Sequence, residues 1–150
     1  MSLFIDSSKI SEIKKYHKLG IVSGVTTNPT LMVKDGVTGG MNGIKDRSIE
    51  IANMVSPAPV SVEVISNEKE EMLSQAKEFA SWAPNINIKI TIHGVNGEIE
   101  NLEVIHLLEK KHDIRVNVTA MMSVQQCYLA ATAGASYVSI FGGRVNNMGY

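Results

Sequence analysis

Residues 86–91 read Ile86-Asn87-Ile88-Lys89-Ile90-Thr91, a strict alternation of isoleucine with a polar residue. Successive side chains on an extended strand point to opposite faces, so the three isoleucines form one face and Asn87, Lys89 and Thr91 the other. Such alternation usually marks an antiparallel strand with one solvated face. The flanking sequence points elsewhere. Helical patterns precede and follow this stretch, at Asn67–Trp82 with Met72, Leu73, Ala76, Phe79 and Ala80, and at Gly97–Lys111 with Leu102, Ile105 and Leu108.

The same alternation of strand and helix runs through the chain. The other expected strands are Leu3–Asp6, Ile21–Thr26, Val60–Val64, Arg115–Thr119 and Ser136–Phe141, all rich in residues that suit a pleated surface. The other expected helices are Ser8–Lys18, Asn42–Val55 and a segment opened by Ser123 with Gln126 and closed by Gly134. Asn67 with Glu70 resembles a capping box for the helix before Lys89. The glycine-rich stretch Lys34–Gly43 reads as a surface loop, since it lacks a P-loop lysine. Alternating β and α elements imply parallel strands with helices over the apolar face. The polar face must then look into an enclosed space. In a (β/α)8 barrel that space is the interior, and its C-terminal mouth is the active site. The expected fold is α/β: a TIM barrel, incomplete, with about six of eight βα units, forming a single domain over residues 1–150. No GxGxxG or GxxxxGK[ST] follows the first strand, which removes support for a nucleotide-binding open sheet.

Strand parity places mostly polar side chains on the inward faces: Phe4 and Asp6, Ser61 and Glu63, Asn87 and Lys89, Asn117 and Thr119, and Tyr137, Ser139 and Phe141. Inward charges are costly unless paired or used. Asp6, Glu63 and Lys89 are either a buried ion cluster that fixes strand register or chemical groups. A lysine amine in a low-dielectric pocket is more often the free nucleophile and attacks carbonyls. The resulting protonated imine is an electron sink for C–C cleavage, and carboxylates nearby move the protons.

Composition narrows the classes. The chain has 150 residues with 44% hydrophobic and 19% charged content and a net charge of −1, so no basic field points to nucleic acid or an anionic membrane. Its one cysteine, Cys127, excludes an internal disulfide and suits a reducing compartment. The start does not read as a signal peptide, no segment reads as a membrane span, and a cytoplasmic protein is expected. The histidines His17, His93, His106 and His112 have no metal-site spacing, so no metal or other cofactor is expected. Glu109–Lys111 reads as a solvated charge run.

The pieces FIDSS (Phe4–Ser8), GVTTNPTL (Gly24–Leu31), SVEV (Ser61–Val64), NIKIT (Asn87–Thr91), VNVTAMMS (Val116–Ser123) and AGASYVSIFGGR (Ala133–Arg144) together resemble the transaldolases, in particular the short subfamily that also holds the fructose-6-phosphate aldolases. The resemblance implies that Lys89 forms a Schiff base with a ketose phosphate and that Asp6 removes a proton from the hydroxyl beside the breaking bond. Glu63, with Thr119, would hold a catalytic water. It further implies that Thr26, Asn28, Ser61, Asn117 and Ser139 bind substrate, that Phe141 walls the lysine, and that Arg144 binds phosphate. Family aldolases tend to carry glutamine at the position of Glu63 and tyrosine at that of Phe141. The implied activity is therefore transfer of a dihydroxyacetone unit between sugar phosphates in the pentose phosphate pathway. The alternatives are an aldolase that releases free dihydroxyacetone and an inactive sugar-phosphate-binding fragment. Partners are small sugar phosphates and, at full length, further copies in a homo-oligomer.

The sequence departs from the family in three places. Ile90 is followed by Thr91 where the family often continues to proline. The loop Ile92–Glu98 is longer and carries His93. The chain has six βα units where the fold has eight, so two edge strands are expected to leave the 150-residue chain prone to association and poorly active alone.

Overall fold

A computed structural model describes residues 3–149; Met1, Ser2 and Tyr150 lie outside the described residues. The six strands are β1 (Phe4–Asp6), β2 (Gly24–Thr26), β3 (Val60–Glu63), β4 (Ile86–Thr91), β5 (Val116–Met121) and β6 (Tyr137–Ile140). The helices are α1 (Ile10–His17), α2 (Pro29–Lys34), α3 (Gly40–Val55), α4 (Lys69–Ala80), α5 (Asn101–Lys111), α6 (Val124–Ala133) and α7 (Gly142–Asn147). The strands are parallel and lie in the order β1-β2-β3-β4-β5-β6. This is the α/β fold of the (β/α)8 class with six βα units.

The chain divides into two compact units. The first comprises residues up to Glu63 together with Glu78–Asn87, and the second comprises Val64–Lys77 with the chain from Ile88 onward.

The first unit is built on Val25, Val60 and Val62 of its strands. They pack among Ile13 of α1, Met32 of α2, and Ile51, Ala52 and Val55 of α3, all buried. Phe79 and Trp82 close it, with ring centroids 4.3 Å apart. The start of α1 is tied down by Asp35, whose carboxylate accepts from the Ser8 N–H at 3.1 Å and the Ser8 hydroxyl at 2.7 Å. The hydrogen bond from the Ser8 hydroxyl holds the Asp35 carboxyl below the usual carboxylate range, against the opposing pull of desolvation.

In the second unit Ile88, Ile90, Val116 and Val118 form the apolar side of β4 and β5, buried with Val104, Ile105 and Leu108 of α5. The opposite face is covered as well. Lys89 is 7% exposed, Asn117 2% and Thr119 2%. Burial of both faces suits a parallel strand and removes the antiparallel reading with one solvated face. On the edge strand β6 the apolar Val138 and Ile140 stay half exposed.

Several boundaries differ from the sequence expectations. Only Gly24–Thr26 of Ile21–Thr26 is strand, because Gly20 at φ 70° ends the turn after α1 and Ile21 remains exposed. The expected Lys34–Gly43 loop is shorter at both ends. Asn28 caps α2 by accepting the Leu31 N–H at 2.9 Å, and Pro29 sits at its first turn, where a missing N–H costs nothing. At the other end α3 already starts at Gly40. Helix α5 begins at Asn101 rather than near Gly97, which has φ 90°. The turn into α4 is held by Ser66, whose Oγ accepts the Glu68 N–H at 3.1 Å and donates to Glu71 at 2.8 Å. Ser123 and Gln126 form the expected capping box, and Gly134 ends α6 at φ 111°.

Glu109 is a correction of chemistry as well as position. Its Oε1 accepts the N–H of Val116 at 2.7 Å and of Ser136 at 2.7 Å. A carboxylate read as a member of a solvated run instead fixes the starts of β5 and β6.

Candidate active-site residues

In the first unit, short strands end at the groups of interest. Asp6 is the last residue of β1, and its Oδ1 accepts from the Thr26 hydroxyl at 2.8 Å. The two stand in register on adjacent parallel strands, so their contact follows from pairing. Ser61 is buried on β3 in register with Thr26, and Glu63 ends that strand. Phe4 lies on the same side as Asp6 and rests on Gly24, where a methyl group would overlap the ring. Glycine at this position gives the ring its place. The Asn28 oxygen is engaged in the α2 cap, so a ligand would meet its amide N–H. Thr27 ties the end of β2 to β3, its N–H and hydroxyl each donating to the Ser61 carbonyl at 3.0 Å.

In the second unit Lys89 is in register with Asn117, and Thr91 with Thr119. The Ser139 hydroxyl donates to the Asn117 Oδ1 at 2.8 Å. Engaging that oxygen fixes the orientation of the carboxamide and makes its amide nitrogen the donor that Asn117 can direct elsewhere. Phe141 leads into α7, and the Arg144 guanidinium lies 5.5 Å from the centroid of its ring. That distance is within the range of a cation–π contact. Arg144 itself is exposed.

Strand β5 carries a feature that the sequence did not reveal. Its pairing with β6 runs from Val118↔Val138 to Met121↔Ile140, so three steps on β5 oppose two on β6. Ala120, at φ 61°, absorbs the extra residue. The irregularity is confined to the β6 side, since Thr119 keeps its register with Thr91 of β4. Because an L-residue at positive φ is strained, Ala120→Gly is expected to stay within about 1 kcal/mol of the parent in urea unfolding. Ala120→Val should lose about 2 kcal/mol or more. A valine variant as stable as the parent would contradict the assigned conformation.

Comparison with known proteins matches residues 3–149 to the family model described as Transaldolase/Fructose-6-phosphate aldolase. The chain belongs to that family. It is 42% identical over 150 residues to a "Probable transaldolase" of Dehalococcoides mccartyi, covering all of this chain and 65% of that protein. It is likewise 42% identical over 150 residues to "Probable transaldolase 1" of Bacillus cereus, covering 64% of that protein. The chain thus spans just under two thirds of the length of these transaldolase-family relatives. Among solved structures, one described as a "putative phosphonomutase" from Burkholderia cenocepacia superposes with a TM-score of 0.53 at 12% identity, covering 91% of this chain and 68% of that one. That likeness concerns the fold alone. Among the described residues no helix is long and apolar enough to cross a membrane.

Proposed function

We propose that the protein is a transaldolase, moving a dihydroxyacetone unit between sugar phosphates through an imine on Lys89. The observation that carries this reading is Lys89 itself. It is a lysine only 7% exposed on the polar face of β4, in register with Asn117, in a chain that matches the transaldolase/aldolase family over residues 3–149. The Lys89 amine adds to the ketose carbonyl and water leaves, giving a protonated imine. Asp6 takes the proton of the hydroxyl next to the bond that breaks. The C–C electron pair moves into the imine, an aldose phosphate departs, and an enamine remains on Lys89. The enamine then attacks the carbonyl carbon of a second aldose phosphate, and hydrolysis frees the new ketose.

Glu63 and Thr119 handle the water that is released and taken up. Thr26, Asn28, Ser61, Asn117 and Ser139 hold the dihydroxyacetone hydroxyls, Phe141 walls the imine, and Arg144 binds the phosphate. No cofactor enters these steps. The pentose phosphate pathway, the cytoplasm and a homo-oligomer are the setting this reading implies.

Glu63 and Phe141 favour transfer over release. Release needs the enamine protonated on carbon and the resulting imine hydrolysed. A phenyl ring offers no hydroxyl to assist those steps, and a carboxylate positions water differently from an amide. Product analysis by NMR of the full-length protein with fructose 6-phosphate and erythrose 4-phosphate should show mainly seven-carbon ketose phosphate. The double variant Glu63→Gln, Phe141→Tyr should shift the ratio toward free dihydroxyacetone by about tenfold, a barrier change of about 1.4 kcal/mol. Dihydroxyacetone as the main product of the unaltered protein would replace this reading with an aldolase.

A further inference from the structure

The inward side chains of the first unit form a row that the site residues do not exhaust. Asp6 pairs with Thr26, and Thr26 with Ser61. The next step follows from the backbone. The Val60 N–H donates to the Asn85 carbonyl at 2.9 Å. In a parallel ladder this sets Val60 opposite Ile86, and therefore Ser61 opposite Asn87. The row across four neighbouring strands is Asp6, Thr26, Ser61, Asn87.

Asn87 is 3% exposed, and its Nδ2 has no hydrogen-bond partner among the described residues. The other buried polar atoms in that position are His17 Nδ1, Ser48 Oγ and Trp82 Nε1, none of them on a strand. A buried amide donor without an acceptor is destabilising, and an aliphatic side chain of the same size would avoid the cost. In the relevant layer the Thr26 hydroxyl already gives its proton to Asp6. Asn87 supplies what that pair does not, a neutral N–H donor.

We infer that Asn87 is a further binding residue, its amide donating to a hydroxyl or carbonyl oxygen on the carbon chain of the ketose. This rests on reading the row as part of a ketose-phosphate site. The group is uncharged and stands in the row of Asp6 and Thr26, so its contact is to the sugar and not to the phosphate. Its loss should therefore weaken phosphorylated and unphosphorylated ligands alike.

The test uses the full-length protein and its Asn87→Leu and Asn87→Ser variants. Calorimetric binding of fructose 6-phosphate, saturation kinetics with fructose 6-phosphate and with fructose, and melting temperature are compared. Removing one neutral hydrogen bond should weaken Asn87→Leu by about 3- to 10-fold for both sugars, with no fall in melting temperature. Asn87→Ser, which keeps a donor, should recover part of the affinity. Unchanged affinity in Asn87→Leu with a raised melting temperature would overturn the inference, leaving Asn87 as an uncompensated buried group or the holder of a water only. Affinity that falls only in step with stability in both variants would also overturn it. If the parent protein binds fructose 6-phosphate but forms no imine, the proposed chemistry fails, while the affinity comparison still decides the role of Asn87.

Discussion

Lys89→Met in the full-length protein is expected to reduce transaldolase turnover by about 10⁴-fold or more, with the fold retained. Methionine matches the length and most of the volume of lysine, so the buried position on β4 stays filled. What is removed is the nucleophile on which every later step depends, and loss of such a group costs about 10⁴- to 10⁶-fold in enzymes that work through covalent intermediates. Arginine is not an equivalent substitute, because its guanidinium does not give up a proton and cannot add to a carbonyl. Circular dichroism and a melting curve check that the variant folds. A Lys89→Met protein with turnover within tenfold of the parent would remove the lysine from the mechanism.

Arg144→Ala is expected to have the second largest effect, and a selective one. A guanidinium holds phosphate oxygens through paired, charge-assisted hydrogen bonds. Losing two of them should raise the KM for fructose 6-phosphate by about 100-fold, or about 2.7 kcal/mol, while unphosphorylated fructose changes little. The exposure of Arg144 and its distance of 5.5 Å from the centroid of the Phe141 ring motivate the prediction. Arg144→Lys should recover only part of the loss, since an ammonium lacks the planar fork. Equal losses for both sugars would mean that Arg144 holds Phe141 and the start of α7 in place and does not bind the phosphate. The contrast with Asn87, whose removal should penalise both sugars equally, separates phosphate recognition from recognition of the carbon chain.

The fold was legible wherever side-chain period carried the information. Alternation in Ile86–Thr91 placed Lys89 on the polar face of a strand, and the burial of both faces agrees with a parallel arrangement. The capping box at Ser123 and the glycine at Gly134 were readable because each is a local rule. What escaped depended on contacts that no short window contains. Resemblance alone marks Asn28 as a binding residue, and the contact of its oxygen with the Leu31 N–H at the α2 cap is seen only in the structure. Glu109 looked solvated because it belongs to a charged run, yet the backbone amides that it binds come from Val116 and Ser136, seven and 27 residues away. The bulge at Ala120 left no mark in composition, because alanine is not a residue that advertises positive φ. Asn87 was placed on the inward face by parity, but its membership in the Asp6–Thr26–Ser61 row needed the strand register. That register comes from backbone hydrogen bonds between segments far apart in sequence.

The central claim is a covalent bond between Lys89 and the sugar. The most direct measurement is borohydride reduction of the full-length protein in the presence of fructose 6-phosphate, followed by peptide mass spectrometry. The expected result is a substrate-derived mass on the peptide containing Lys89, absent without sugar and absent in Lys89→Met. A label on Lys34 or Lys110 instead, or one that survives Lys89→Met, would contradict the account.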